Sequence, residues 1–190
     1  NTLAHRQDLL PSVGPFKVSG QISGSNRQIM VGGFSFTAGR EDVLQLKALG
    51  KLGTLSAANS WQPQNSDLRV DIRSTDSSAL AGVFGYHIPN LGPLAAAADL
   101  RDDNGKAGFE SFRILVGDTA KPTLDAQGFI HDLFAAKGIS LEAKLNIDGH
   151  TLSAFADKHS LPDLHPLTGD MVMTDSDGTL GIDFLHLTSS

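Results

Sequence analysis

A chain of 190 residues with 40% hydrophobic and 19% charged side chains has the composition of a folded protein, and it is long enough for one ordinary domain or for two or three repeat units. Its net charge of −6, with Lys and Arg dispersed, excludes the clustered basic footprint that nucleic acids and anionic headgroups require. The absence of Cys excludes disulfides, thiolate metal sites and Cys nucleophiles, and ten of the twelve aromatics are Phe, which suits apolar faces better than polar recognition.

Thr2 to Leu10 reads as the tail of a short helix, closed by Pro11-Ser12-Val13-Gly14-Pro15-Phe16. Phe16, Val18, Gly20 and Ile22 then alternate with polar residues, and Gly24-Ser25-Asn26 follows as a hairpin turn. Leu44, Leu46, Ala48, Gly50 and Leu52 alternate with one lapse at Leu49, and Leu68, Val70 and Ile72 alternate without one. Thr75 to Tyr86 predicts a helix, with Ser and Asp as cap candidates, Leu80, Val83 and Phe84 at helical spacing, and Pro89 as its stop. A second link, Pro89-Asn90-Leu91-Gly92-Pro93-Leu94, leads to a turn at Asp102-Asp103-Asn104-Gly105. Leu124, Ala126, Gly128 and Ile130 alternate with a lapse at Phe129, and Ile139, Leu141, Ala143, Leu145 and Ile147 form the longest clean run. Leu152 to His159 reads as a weaker helix before the third link, Pro162-Asp163-Leu164-His165-Pro166-Leu167, and Asp175-Ser176-Asp177-Gly178 is the last turn. A period of two marks antiparallel strands with one apolar and one wetted face.

The three links absorb six of the eight prolines and lie 78 and 73 residues apart. The register at 78 then holds without a gap: Phe34 falls on Phe112, Phe36 on Ile114, Gly39 on Gly117, Leu46 on Leu124 and Gly50 on Gly128. After a contraction of five residues, Leu68, Val70 and Ile72 match Leu141, Ala143 and Leu145. Self-similarity of this kind predicts repeat architecture, in which each unit buries its open end against the next. The expected organisation is the end of a preceding unit at 1–10, a first unit at 11–88, a second at 89–161 and the start of a third at 162–190. Each unit would hold about four strands, a short helix and a link. With no Met at Asn1 and a strand-like pattern still running at Leu187, the chain reads as a piece of something longer.

Leu91-Gly92-Pro93-Leu94, the turn at Asp103-Asn104-Gly105, Phe109-Glu110-Ser111-Phe112-Arg113-Ile114, Gly117-Asp118 and Thr123-Leu124-Asp125-Ala126-Gln127-Gly128 together resemble the AsmA-like family of Gram-negative envelope proteins, the AsmA, TamB and YhdP relatives. The resemblance covers nearly the whole chain. It departs at His165, where the third link lacks the usual Gly, and at Ala95 to Ala98, small for a groove strand. What it implies is a mainly β fold with short helices, its antiparallel strands forming a repeating, curled open sheet of about two and a half units. It further implies a periplasmic place within an inner-membrane-anchored parent, the anchor lying outside this chain, and a part in phospholipid transport or outer-membrane biogenesis. The expected partners are lipid tails, each buried methylene of which gains roughly 0.8 kcal/mol. The expected lining is Phe16, Val18, Ile22, Leu44, Leu46, Leu68, Val70 and Ile72, with Leu124, Ile130, Leu141, Leu145 and Ile147 in the second unit. The competing reading of the same stripe is an ordinary closed core, or a β-repeat interaction module with no lipid ligand.

Chemistry-bearing motifs are sparse. The seven His form no helical metal pair around a Glu. His159, His165, Asp157 and Asp163 could cluster on a metal, but they sit around a Pro-rich turn where surface His is the simpler reading. Asp175-Ser176-Asp177-Gly178 starts like a calcium loop, yet His186 stands where the twelfth-position Glu would be needed. No serine elbow, phosphate loop or dinucleotide fingerprint is present. Neither catalysis, nor a cofactor, nor a metal is expected.

Overall fold

The computed structural model describes residues 14–40, 42–60, 63–83, 88–103, 106–149, 151, 166–175 and 179–189. The period-two segments fall in strands, and further strands lie between them: β1 (Phe16–Ser25), β2 (Gln28–Arg40), β3 (Leu44–Lys51), β4 (Gly53–Ser56), β5 (Pro63–Gln64) and β6 (Asp67–Ser74). A helix, α1 (Ser77–Val83), precedes β7 (Leu94–Asp103), β8 (Lys106–Asp118), β9 (Lys121–Asp132), β10 (Lys137–Ile147), β11 (Leu167–Thr174) and β12 (Gly181–Ser189).

All twelve strands belong to one antiparallel sheet. β3 and β4 run end to end along the same edge of β2, and β5 and β6 continue alongside them. The sheet is therefore a meander from β6 to β12, preceded by β1 to β3 with the short β4–β5 pair set at the end of β3, and it is curled and open, with no pairing between its first and last strands.

The repeat is visible in the strand bounds. β8 begins and ends 78 residues after β2, while β7 starts 78 after β1 and 73 before β11. A bulge recurs at the same offset. Glu110 is the extra residue where β8 leaves Ser111 opposite Asp99 and Phe109 opposite Leu100. Asp183 is the extra residue where β12 leaves Phe184 opposite Val172 and Ile182 opposite Met173.

The links have a visible purpose. The carbonyl of Pro15 accepts the Gly39 N–H at 2.9 Å, and the carbonyl of Pro93 accepts the Gly117 N–H at 2.8 Å. Each link thus ties the start of one strand to the end of the next. The backbones close to within van der Waals reach there, since a Cβ on Gly92 (φ +100°) would lie 3.1 Å from Gly117 Cα. All of the third link but Pro166 and Leu167 lies outside the described residues, as do the whole of Thr2–Leu10 and of Leu152–His159.

The helix is shorter than Thr75–Tyr86 at its start, and 84–87 lie outside the described residues. Asp76 caps it, its Oδ1 accepting the Ser78 N–H at 2.7 Å. Ser77 is buried, donating its N–H to the Gly92 carbonyl and accepting the Leu91 N–H on Oγ, both at 2.9 Å. The start of α1 is thereby held to the residues just before β7.

The turn motifs do more than reverse the chain. Asp175 accepts the N–H groups of Gly138 (2.6 Å) and Ile139 (2.8 Å), clamping the start of β10 to the end of β11. Charged acceptors of this kind contribute about 2 kcal/mol. Asp175→Ala is expected to lower the urea-unfolding free energy by roughly that amount, without changing the slope of the transition.

Candidate functional site

Cross-strand partners lie on the same face of a sheet, so the register assigns every side chain a side. One row runs Leu46, Ile72, Ala96, Ile114, Ala126, Ala143, Met171 and Leu185 across β3 to β12. The next runs Ala48, Val70, Ala98, Phe112, Gly128, Leu141 and Met173. A third holds Gly50, Leu68, Leu100, Phe109, Ile130 and Ile139. On β1 and β2, Phe16, Val18 and Ile22 join Ala38, Phe36 and Val31 on this side. The opposite face carries Lys47, Asp71, Arg69, Asp99, Arg113, Gln127, Glu142, Lys144 and Asp170.

All thirteen expected lining residues fall on this one apolar face, but they do not share one environment. Leu44 is buried, in a row with Ser74, Leu94 and Val116 at the end of the sheet next to α1. Ile147 is buried at the corresponding end of β10. These two close the end of the face rather than line it. Leu46, Leu68, Val70, Ile72, Leu124, Ile130, Leu141 and Leu145 are half-buried, and Phe16, Val18 and Ile22 on the edge strand are 75%, 54% and 75% exposed. Among the described residues no large side chain is fully buried and no second layer makes this stripe a closed core.

The face is hollow where its side chains are smallest. A cavity of about 370 Å³ is walled by Val70 and Ile72 on one flank and by Phe112, Ile114 and Ile130 on the other, and floored by Ala96 and Ala98 of β7. The run of alanines that looked too small for a groove strand is what makes the depression. A second hollow of about 470 Å³ continues past Leu68 and Leu100 to Leu52, Ala107 and Phe134 at the strand ends.

One carboxylate interrupts the apolar side. Asp102 lines that second hollow, is 6% exposed, and neither of its oxygens has a hydrogen-bond partner. It stands 73 residues before the clamping Asp175, and its N–H bonds the Ser66 carbonyl at 3.0 Å as that of Asp175 bonds Ile139 at 3.2 Å. Asn65 (φ +57°) likewise matches Gly138 (φ +66°). Asp102 is thus the counterpart of the clamp without its two bonds.

The charged face has a larger hollow, about 570 Å³, lined by Arg69, Asp99, Glu110, Arg113, Gln127 and Glu142 among others. Its charges are matched internally. Arg69 pairs with Asp99 at 3.2 Å, Arg101 with Glu110, and Gln127 donates to Glu142 at 3.3 Å. Arg113 holds Asp125 in a two-pronged contact of 3.0 and 2.8 Å, and the guanidinium keeps that carboxyl below the usual carboxylate range. These are solvated pairs of modest worth.

No group of three or more His, Asp or Glu is placed to hold a metal among the described residues. His131 packs on Phe129 with centroids 4.9 Å apart, and His186 Nε2 lies 3.0 Å from Thr188 Oγ1. Asp157, His159, Asp163 and His165 lie outside the described residues, as do three of the four residues of the calcium-like turn. No described helix is long and apolar enough to cross a membrane. Compared with protein-family models, with curated proteins and with solved structures, the chain matches none.

Sequence reasoning missed most of the hollow. Phe112 and Ile114 were matched to Phe34 and Phe36 but not assigned to the lining, because the bulge at Glu110 separates Phe109 from Phe112 by three positions and hides the period of two. On β7, alanine on both faces from Ala95 to Ala98 leaves no alternation to detect. Pairing Ala96 and Ala98 with Ile72 and Val70 is what places them.

Proposed function

We propose that this chain is a segment of an AsmA-like envelope protein whose apolar sheet face shelters the acyl chains of phospholipids during transport or outer-membrane biogenesis. The observation that carries the reading is the hollow over Ala96 and Ala98, walled by half-buried aliphatic and aromatic residues on a sheet with no opposing layer among the described residues. A half-exposed apolar strip of this length is costly in water and is relieved by any chain that covers it. The buried row Leu44, Leu94 and Val116 stops the strip at the α1 end, and the charged face stays wetted. The mechanism is passive: tails lie across the strands and headgroups remain at the open side. The link and turn motifs that resemble the family support the periplasmic, membrane-anchored setting.

Val70→Asp combined with Ile130→Asp places a charge on each flank of the hollow. Purified wild-type protein is expected to carry phospholipid, detected by native mass spectrometry or solvent extraction, and the double variant none, with unchanged far-UV dichroism. Lipid retained by a folded double variant would sink the reading. The alternative, a β-repeat interaction module without lipid, draws on the uncovered edge strands and predicts no lipid in either preparation.

A further inference from the structure

We infer that the hollow where β6 starts and β7 ends binds an ammonium group carried on an aliphatic chain, with Asp102 accepting its N–H groups. The hollow, about 470 Å³, has apolar walls in Leu52, Leu68, Leu100, Ala107 and Phe134, and Asp102 is the one charged residue lining it among the described residues. Small-molecule sites have this make-up, an apolar body with very few polar groups that fix orientation. Ser66, also in the wall, is already engaged, its hydroxyl donating to the Leu52 carbonyl at 2.7 Å.

Asp102 is 6% exposed with neither oxygen bonded, an arrangement that protein interiors rarely leave to a carboxylate. The repeat shows how the same position is satisfied elsewhere. Asp175, 73 residues on, takes the N–H groups of Gly138 and Ile139. The matching residues beside Asp102 are Asn65 and Ser66, and its oxygens take neither N–H. Nor do the neighbouring basic side chains reach it. Arg101 pairs with Glu110 and Asp67, and Lys106 stands opposite Asp103, on the face that Asp102 does not share. The partner that fits is a cation with N–H donors entering from the hollow, towards which the carboxylate turns.

Phe134 gives the same answer from the rim. It is 87% exposed, yet its place is fixed: Asp132 Oδ1 accepts its N–H at 3.1 Å and that of Ala135 at 2.9 Å, while Leu133 donates to the Ala107 carbonyl at 2.8 Å. An aromatic ring and a carboxylate on one hollow both attract an ammonium group, the first through its quadrupole and the second through its charge. Alkyl anions are repelled by the same carboxylate. Leu68 and Leu100 are cross-strand partners next to the pair Val70 and Ala98, so an aliphatic chain finds an apolar track leading away from Asp102.

The probe is n-octylammonium chloride, titrated into the intact chain by calorimetry. Saturable one-to-one binding is expected, with n-octyl sulfate at least about tenfold weaker. Asp102→Asn, which keeps shape and removes charge, should weaken n-octylammonium at least about tenfold with unchanged far-UV dichroism. Phe134→Leu should weaken it severalfold. A free amine and an ethanolamine headgroup carry the same ammonium, and dihexanoyl phosphatidylethanolamine separates them: Asp102-dependent binding of it assigns the headgroup, and binding of n-octylammonium alone assigns the free amine. The site is independent of the lipid reading, since Val70→Asp with Ile130→Asp should lose phospholipid yet keep n-octylammonium. No saturation, equal binding of the sulfate, or equal binding by Asp102→Asn would overturn the inference. So would a urea midpoint that Asp102→Asn lowers as far as Asp175→Asn does, because Asp102 would then be clamping Asn65 and Ser66 as Asp175 clamps its own pair.

Discussion

Gly128→Ala is expected to destabilise the sheet by about 3 kcal/mol, the upper range for overpacking a well-fitted site. The cause is the approach of β10 rather than backbone freedom. A Cβ at position 128 would lie 1.9 Å from the Ser140 carbonyl oxygen, and carbonyls of a ladder cannot step aside as a flexible side chain can. Gly50 is its counterpart, where a Cβ would lie 2.2 Å from the Asp67 carbonyl oxygen. Both glycines sit opposite a Phe of the preceding strand, so the missing side chain also makes room for a ring on the apolar face. Urea titration followed by dichroism should show the midpoint falling with the slope unchanged. A variant as stable as the parent would mean that β9 and β10 can shift apart at no cost, and that the two recurrent glycines are there for another reason.

The second large effect concerns the floor of the hollow. Ala96→Leu with Ala98→Leu raises the floor between Val70 and Phe112 with apolar atoms, adding no charge and removing no packing. Lipid carried by the purified chain is expected to fall at least about tenfold, while stability holds or rises as added methylenes find partners at about 0.8 kcal/mol each when buried. This variant separates a recess from a merely sticky surface. A greasier floor should bind more lipid if general hydrophobicity is the agent, and less if volume is. Quantified phospholipid per mole of chain decides between them.

Much of the architecture was legible because a strand with one wetted face writes its period into the chain. Ile139 to Ile147 and Leu68 to Ile72 were readable for that reason, and both lapses in alternation, Leu49 and Phe129, turn out to be apolar residues on the charged face. The order of the strands was harder to read, since alternation says nothing about neighbours. The links supplied it indirectly: residues matched at 78 or 73 had to occupy matched places. What sequence did not reveal was local. A bulge displaces the pattern by one residue on one strand alone, as at Glu110, and four alanines carry no face. That Leu44 and Ile147 are buried while the other expected lining residues are half-buried or exposed was not legible for a related reason. Periodicity assigns a side, whereas burial along a strand depends on what covers its end.

The meander has a consequence for how this chain comes to be. Apart from β4, which returns to β2, and β6, which pairs with β3, every strand lies beside the one made just before it, so most ladders can close as soon as their second strand exists. Contacts between near neighbours fold fast, because little loop entropy is lost before pairing begins. A sheet of this kind can grow from its first hairpin in step with synthesis or export, one strand at a time. Until the next strand arrives, the newest one is always a bare edge.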